Sequence, residues 1–327
     1  MQDNFQREIN YLRVSVTDRC NLRCFYCLPP HGVKSIPHEE ILRLEEIVHL
    51  VRAATLVGVK KVRITGGEPL VRKGLVSFVE ALAAIPAIDD LALTTNGILL
   101  AEYAAELKAA GLKRVNVSLD SLRPEKYAQI TRGGELARAW AGIEAALALE
   151  MHPVKLNTVL LKGLNDDEIV DLAGLSRQLP LHVRFIELMP VGACKEWAAD
   201  YFVPAGQAKE IIEQNLGRLH EVRKLAGSGP AHYYRLAGAP GTIGFIPAVS
   251  DHFCNRCNRL RLTSTGALRS CLYDEGELNA KGLLRSGASL EELAGLVARA
   301  IAGKPGRHRL GEAGGSGGQK VMSRIGG

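Results

Sequence analysis

Six short apolar runs, each but the last followed by a stretch of helical periodicity, constrain this chain more than any other feature. Strands read at about 11–17, 61–65, 91–96, 114–120, 154–161 and 182–188, with helices between them at about 38–56, 74–85, 99–110, 135–149 and 165–178. In the first helix Ile41, Leu44, Val48 and Val51 share one face, and Asn165 with Glu168 three residues later reads as a capping box. Strands that alternate with helices lie parallel and are joined by right-handed crossovers. Two architectures satisfy this, an open doubly wound sheet and a barrel. Polar residues at the strand ends separate them. Cys20, Gly66-Gly67-Glu68, Thr94-Thr95-Asn96, Ser118 and Met189 lie at or just past the C-terminal ends of all the strands except the fifth. An open sheet gathers its site at one switch point, whereas a barrel gathers residues from many strand ends. The spread favours a barrel.

The chain has 327 residues, 46% of them hydrophobic, enough for one large domain or two smaller ones. Past Met189 the pattern changes. A linker runs to Pro204, followed by a helix at 205–216 and short strand-like runs at 219–225, 233–236, 242–248, 260–265 and 267–271, as expected of a small antiparallel unit. Ser289 with Glu292 opens a last helix, stopped by Gly303 and Pro305. Residues 311–327 are Gly-rich, which by composition alone reads as a flexible tail. The net charge of +6 suits an anionic ligand, and no dense basic run or aromatic–basic alternation supports a nucleic-acid surface. Residues 1–10 are polar and no long apolar span follows, so neither a signal peptide nor a membrane helix is expected.

Six of the seven cysteines fall into two close triplets, which argues against a disulfide framework and for metal or cluster ligation in a reducing cytosol. The seventh, Cys194, stands alone and is expected to be structural or exposed. Cys20, Cys24 and Cys27 follow the first strand with spacing C-x3-C-x2-C; Cys254, Cys257 and Cys271 have spacing C-x2-C-x13-C. Four cysteines would hold every iron of a 4Fe–4S cluster, so three leave one iron open for chemistry. The alternative is a closed Cys₃His zinc site, with His31 as fourth ligand for the first triplet and His252 for the second.

Cations alternate with apolar residues on several strands: Arg13, Arg63 and Lys155, and Arg259 and Arg261 around Leu260. Alternate strand residues face one side, and a lone buried cation is costly. Either these cations meet an anion such as a triphosphate or they pair with Glu68, Asp120 or Glu187. No Walker-type phosphate loop is present.

The first triplet, with Tyr26 just before its last cysteine, resembles the signature of the radical S-adenosylmethionine (SAM) enzymes, over about the first 190 residues. Arg-Ile-Thr-Gly-Gly-Glu-Pro, Val-Ser-Leu-Asp-Ser, Phe-Ile-Glu-Leu-Met-Pro, the second triplet, Asn-Arg-Leu-Arg-Leu-Thr and the terminal Met-Ser-Arg-Ile-Gly-Gly extend this to nearly the whole chain, which is similar to the GTP 3′,8-cyclase family of molybdenum cofactor biosynthesis. The resemblance implies an α/β fold: an incomplete (β/α)₆ TIM-like barrel at 1–190, a smaller C-terminal α+β domain at 191–310 that carries a second cluster and closes the barrel, and a tail at 311–327. It implies two 4Fe–4S clusters, on Cys20, Cys24 and Cys27 and on Cys254, Cys257 and Cys271, with SAM lined by Tyr26, Gly67, Ser118 and Met189. It implies GTP binding by Arg13, Arg63, Thr94, Lys155, Arg259, Leu260 and Arg261, and a terminal Gly326-Gly327 that reaches the active site. The implied reaction is abstraction of hydrogen from ribose C3′ by a 5′-deoxyadenosyl radical and closure onto guanine C8. A pterin synthase downstream, an electron donor, a homodimer and a cytoplasmic location are expected with it. Two rival readings are a peptide-modifying radical SAM enzyme and a non-enzymatic zinc-binding module.

Overall fold

In the computed structural model, which describes residues 1–222, 229–273, 276–308 and 321–325, the six expected strands form β1 (Tyr11–Ser15), β2 (Lys61–Thr65), β3 (Asp90–Thr95), β4 (Arg114–Ser118), β5 (Lys155–Leu160) and β6 (His182–Glu187). They are parallel and adjacent in chain order, β1-β2-β3-β4-β5-β6. A doubly wound sheet reverses direction at a switch point, and this order has no reversal, so the barrel-type solution is the one adopted.

Helices α1 (Leu44–Leu56), α2 (Leu75–Ala83), α3 (Leu100–Ala109), α4 (Pro124–Thr131), α5 (Leu136–Ala148) and α6 (Ile169–Gln178) fill the crossovers. The first is shorter than expected, because residues 38–40 form a separate 3₁₀ turn and helix begins only at Leu44. Helix α4 was not expected. The capping box at Asn165 does not form. Its side chain instead donates to the carbonyls of Asp120 and Val159 and accepts from Leu161 N–H. Glu168 accepts from Ser121 Oγ and Leu122 N–H. Both residues thus tie loops to the sheet.

After α7 (Ala205–Leu216) come β7 (His220–Glu221), β8 (His232–Arg235), β9 (Thr242–Ile246), β10 (Arg259–Leu262), β11 (Ala267–Arg269) and β12 (Glu277–Asn279). Antiparallel pairing is present as expected, but not as one unit. β7, β8 and β9 extend one edge of the barrel sheet and β10, β11 and β12 the other, giving the order β12-β11-β10-β1 through β6-β9-β8-β7. The two junctions, β10 with β1 and β9 with β6, are parallel. Helices α8 (Ala280–Arg285) and α9 (Leu290–Ala302) follow, with Ser289 and Glu292 forming the expected capping box, and α10 (Met322–Ile325) ends the described chain. Helix α9 packs on α1, so the two ends of the chain share one core.

Alternation on the strands sorts that core from the inner face. Leu12 and Val14, Val62 and Ile64, and Leu260 and Leu262 are fully buried, each contributing about 2 kcal/mol. Arg13, Arg63, Arg259 and Arg261, at the intervening positions, face the other side. Among the described residues no helix is long and apolar enough to cross a membrane.

Candidate active site

The inner face of the sheet and the loops at its C-terminal ends enclose a cavity of about 360 Å³. Both cysteine triplets line it. The first sits on the loop leaving β1, which Arg23 and Phe25 pin to the end of α4 by donating their N–H groups to Thr131 and Ile130 carbonyls, both at 3.0 Å. Within the loop Cys27 and Leu28 N–H groups donate to the Cys24 carbonyl, forming a turn. Gly67 and Glu68 N–H groups donate to the carbonyls of Thr17 and Arg19, both at 2.8 Å. This approach leaves no room for a side chain at Gly67, where a Cβ would lie 2.3 Å from the Arg19 carbonyl oxygen. Gly67→Ala should therefore cost roughly 1–3 kcal/mol and lower iron uptake by the first triplet, checked by urea unfolding and iron content; unchanged values for both would show that the two loops need not touch.

Burial raises the thiol pKa of Cys20 to about 11 and of Cys27 to about 12, and that of Cys24 well above its ordinary value; Glu68 adds to the effect at Cys20, the neighbouring thiols and Asp120 at Cys24 and Cys27. Thiolates gathered this way need a cationic centre bound among them, which is what an iron–sulfur cluster supplies. In the second triplet burial also raises Cys254, whereas at Cys257 Arg259 and Lys304 outweigh burial and lower the thiol to about 6. All six thiols are free, so the donor sets fit two clusters. His31 is exposed and off the cavity wall, and does not complete the first set. His252 lies beside Cys254, but the close set is His252, Cys254 and His308, whose ligand atoms fall within 4.8 Å of one another, not a Cys₃His group. Cys194 is buried and donates to the Met189 and Val191 carbonyls, a structural role.

The cations form a row. Arg13 stands opposite Arg261 on β10 and opposite Arg63 on β2 in the sheet register. Neighbouring strands lie about 4.8 Å apart, and like charges directly opposite repel. The carboxylates offered as counter-ions are engaged elsewhere. Glu68 accepts from Leu70 and Asn96 N–H and Thr95 Oγ1. Asp120 accepts from Tyr26 Oη at 2.7 Å and Val159 N–H. Glu187 accepts from Ala205, Val249 and Ser250 N–H and Ser250 Oγ. Burial, reinforced by neighbouring cations, lowers the pKa of Arg63 and Arg261 to about 10. On the same wall Arg63 Nε, Thr94 Oγ1, Asn157 Oδ1 and Arg184 Nε are buried without a hydrogen-bond partner, each costing roughly 1–3 kcal/mol. The wall is built for a polar, anionic ligand.

Of the residues singled out from sequence, Tyr26, Gly67, Ser118, Met189, Arg13, Arg63, Thr94, Arg259 and Arg261 line the cavity with the six cysteines. Lys155 is buried on β5 beside the Tyr233 ring and off the wall. The Leu260 side chain is buried on the opposite face of β10, leaving only its main chain on the side of the arginines. Gly326 and Gly327 lie outside the described residues, but Met322 and Ser323 of α10 reach the cavity. Sequence reasoning missed Arg184, which donates to Asn116 Oδ1 at 2.8 Å. Its signal was there, a cation between Val183 and Phe185 on β6.

The Radical SAM superfamily model matches residues 14–175 and the Molybdenum Cofactor Synthesis C model residues 181–310. The SAM-bound SuiB of Streptococcus suis shares the fold, with a TM-score of 0.59 at 16% identity over 89% of this chain and 68% of that one. Proteins named GTP 3′,8-cyclase are far more similar: that of Pelotomaculum thermopropionicum is 60% identical and that of Moorella thermoacetica 53%, each over 100% of both chains. With identity of this order over the whole of both chains, and the two family models together spanning most of its length, the chain belongs to the GTP 3′,8-cyclase family of radical SAM enzymes.

Proposed function

We propose that this protein cyclises GTP to 3′,8-cyclo-7,8-dihydro-GTP, the first step of molybdenum cofactor biosynthesis. The observation that carries this reading is the in-register row Arg261, Arg13 and Arg63 on the wall of a cavity shared by both cysteine triplets. Three adjacent cations on a largely buried wall call for a polyanion, and a triphosphate offers guanidinium groups bidentate oxygens.

Cys20, Cys24 and Cys27 would hold one 4Fe–4S cluster and Cys254, Cys257 and Cys271 the other. Bound SAM, on reductive cleavage, supplies the radical that takes hydrogen from ribose C3′. The chain's own part is positional. Tyr26, Gly67, Ser118 and Met189 line the SAM end of the cavity, with Tyr26 held by Asp120. Arg13, Arg63, Arg259, Arg261 and Thr94 hold the nucleotide, joined by Arg184, and Leu260 contributes main chain. Lys155, two residues before Asn157 on the inner face of β5, has its pKa lowered to about 6 by burial and by Arg184, Arg114 and Arg63, and would take up a proton as the anion binds. The segment 191–310 covers the barrel's open side and keeps water from the reacting carbons. A one-electron donor and a pterin synthase that consumes the product complete the cycle, in the cytoplasm, with the enzyme as a homodimer. The approach of α10 to the cavity supports delivery of Gly326-Gly327 there.

The test is anaerobic turnover of the iron-loaded protein with SAM, a reductant and GTP deuterated at C3′. Deuterium should appear in 5′-deoxyadenosine, and ATP should not substitute for GTP; unlabelled 5′-deoxyadenosine would overturn the reading. Arg261→Ala should weaken GTP binding roughly 10- to 100-fold and leave the iron of the first triplet in place. Unchanged GTP affinity would remove Arg261 from the site.

A further inference from the structure

We propose that Arg7 and Lys304 are positioning residues for the second cysteine triplet, fastening the segments that carry Cys254, Cys257 and Cys271 to residues 304–306. The inference rests on the reading of that triplet as a cluster site. Its three cysteines come from two separate stretches and none lies on a strand: Cys254 begins a short 3₁₀ turn, Cys257 follows it, and Cys271 lies just past β11. Two buried cations from distant parts of the chain bind these stretches together.

Arg7 is 7% exposed and pairs with Asp3, its Nε at 2.7 Å and Nη2 at 2.6 Å from Oδ2. Its remaining donors go to main-chain carbonyls: Nη1 to Cys254 at 2.7 Å and Gly306 at 3.1 Å, Nη2 to Pro305 at 2.7 Å. Lys304 is 3% exposed, and its Nζ donates to the carbonyl of Arg259, two residues past Cys257, at 2.9 Å and to that of Ser270, the residue before Cys271. Each cysteine-bearing stretch is therefore held within two residues of a ligand. Outer partners of this kind orient ligands and tune the centre they hold.

The two cations differ in one respect. Asp3 neutralises Arg7, whereas Lys304 lines the cavity with Cys257 and Cys271 and brings its charge to them. A positive charge beside a cluster favours its reduced, more negative state. Lys304 thus positions the ligands and raises the reduction potential; Arg7 positions alone.

The test uses the full chain carrying Cys24→Ala, so that only the second triplet is complete, loaded with iron and sulfide without oxygen. The parent should hold about four irons. Lys304→Met should lose iron to a chelator roughly 10- to 100-fold faster and show a more negative midpoint potential. Lys304→Arg should restore both. Arg7→Met should release iron faster with little change in potential. A Lys304→Met protein with the parent's release rate and potential would overturn the proposal. If that variant does not fold by circular dichroism, Arg7→Met decides: release at the parent's rate overturns the clamp. A parent that takes up zinc and no iron would sink the cluster reading instead, and the clamp is then read from zinc release by the same variants, with the same order expected.

Discussion

Cys24→Ala should give a folded protein that binds about four irons in place of about eight and cleaves no SAM. Cys24 is the middle ligand of the first triplet, and burial, with Asp120 and the neighbouring thiols, holds its pKa well above the ordinary thiol value. The loop keeps its shape without that sulfur. The turn at Cys24 is closed by its carbonyl, which accepts from Cys27 and Leu28 N–H, and the neighbours Arg23 and Phe25 are pinned to Thr131 and Ile130 through main chain. The substitution removes a ligand and little else, so the loss belongs to the cluster and not to the fold. Iron content, circular dichroism and 5′-deoxyadenosine formation read the three parts separately. Full iron content or retained SAM cleavage would refute the assignment of Cys24.

Glu187→Ala should cost on the order of 4 kcal/mol, read as a lowered urea midpoint. Glu187 ends β6 and is 1% exposed. Its carboxylate accepts from Ala205 N–H at 2.9 Å, from Val249 and Ser250 N–H at 2.8 Å, and from Ser250 Oγ. Those donors belong to the start of α7 and to the loop after β9, so one side chain ties two later segments to the barrel. Truncation leaves three main-chain donors without their acceptor, and each buried one costs roughly 1–3 kcal/mol. Glu187→Gln keeps one acceptor oxygen and should lose less. A loss under about 1 kcal/mol for the alanine variant would mean that the donors find other partners at once.

The barrel order was readable because its information is local. Each strand is a compact apolar run, some with a plain alternation as in Leu12-Arg13-Val14 or Val62-Arg63-Ile64, and all but the fifth end in polar or site residues. The cavity residues were readable for the same reason. What escaped was non-local. Nothing near Arg259–Leu262 says that its partner is β1, some 250 residues earlier, in parallel. The run therefore read as part of a separate antiparallel unit, and the alignment of Arg261 with Arg13 and Arg63 was out of reach. Asn165 misled because an amide before a helix has two uses, and here three main-chain groups of the preceding strand and loop claimed it first. Helix α4 has only eight residues, about two turns, too short for a repeating apolar face to stand out. Arg7 and Lys304 act through carbonyls, which every residue has, so no sequence pattern marks their partners.

The parallel junction of β10 with β1 also bears on how the chain matures. One edge of β1 is covered by β2 within about fifty residues of synthesis, but the other edge waits for residues 259–262, made some 250 residues later. Until then β1 presents bare main-chain donors and acceptors, the state most prone to wrong pairing. The loop that follows β1 carries the first three cysteines, so they stay unsheltered for the same interval. Closure around them is a late, long-range event with a high loop-closure cost. Loading of the first triplet therefore has its widest access before residues 259–262 pair with β1, and a nascent protein made in air is most exposed to thiol oxidation during that window.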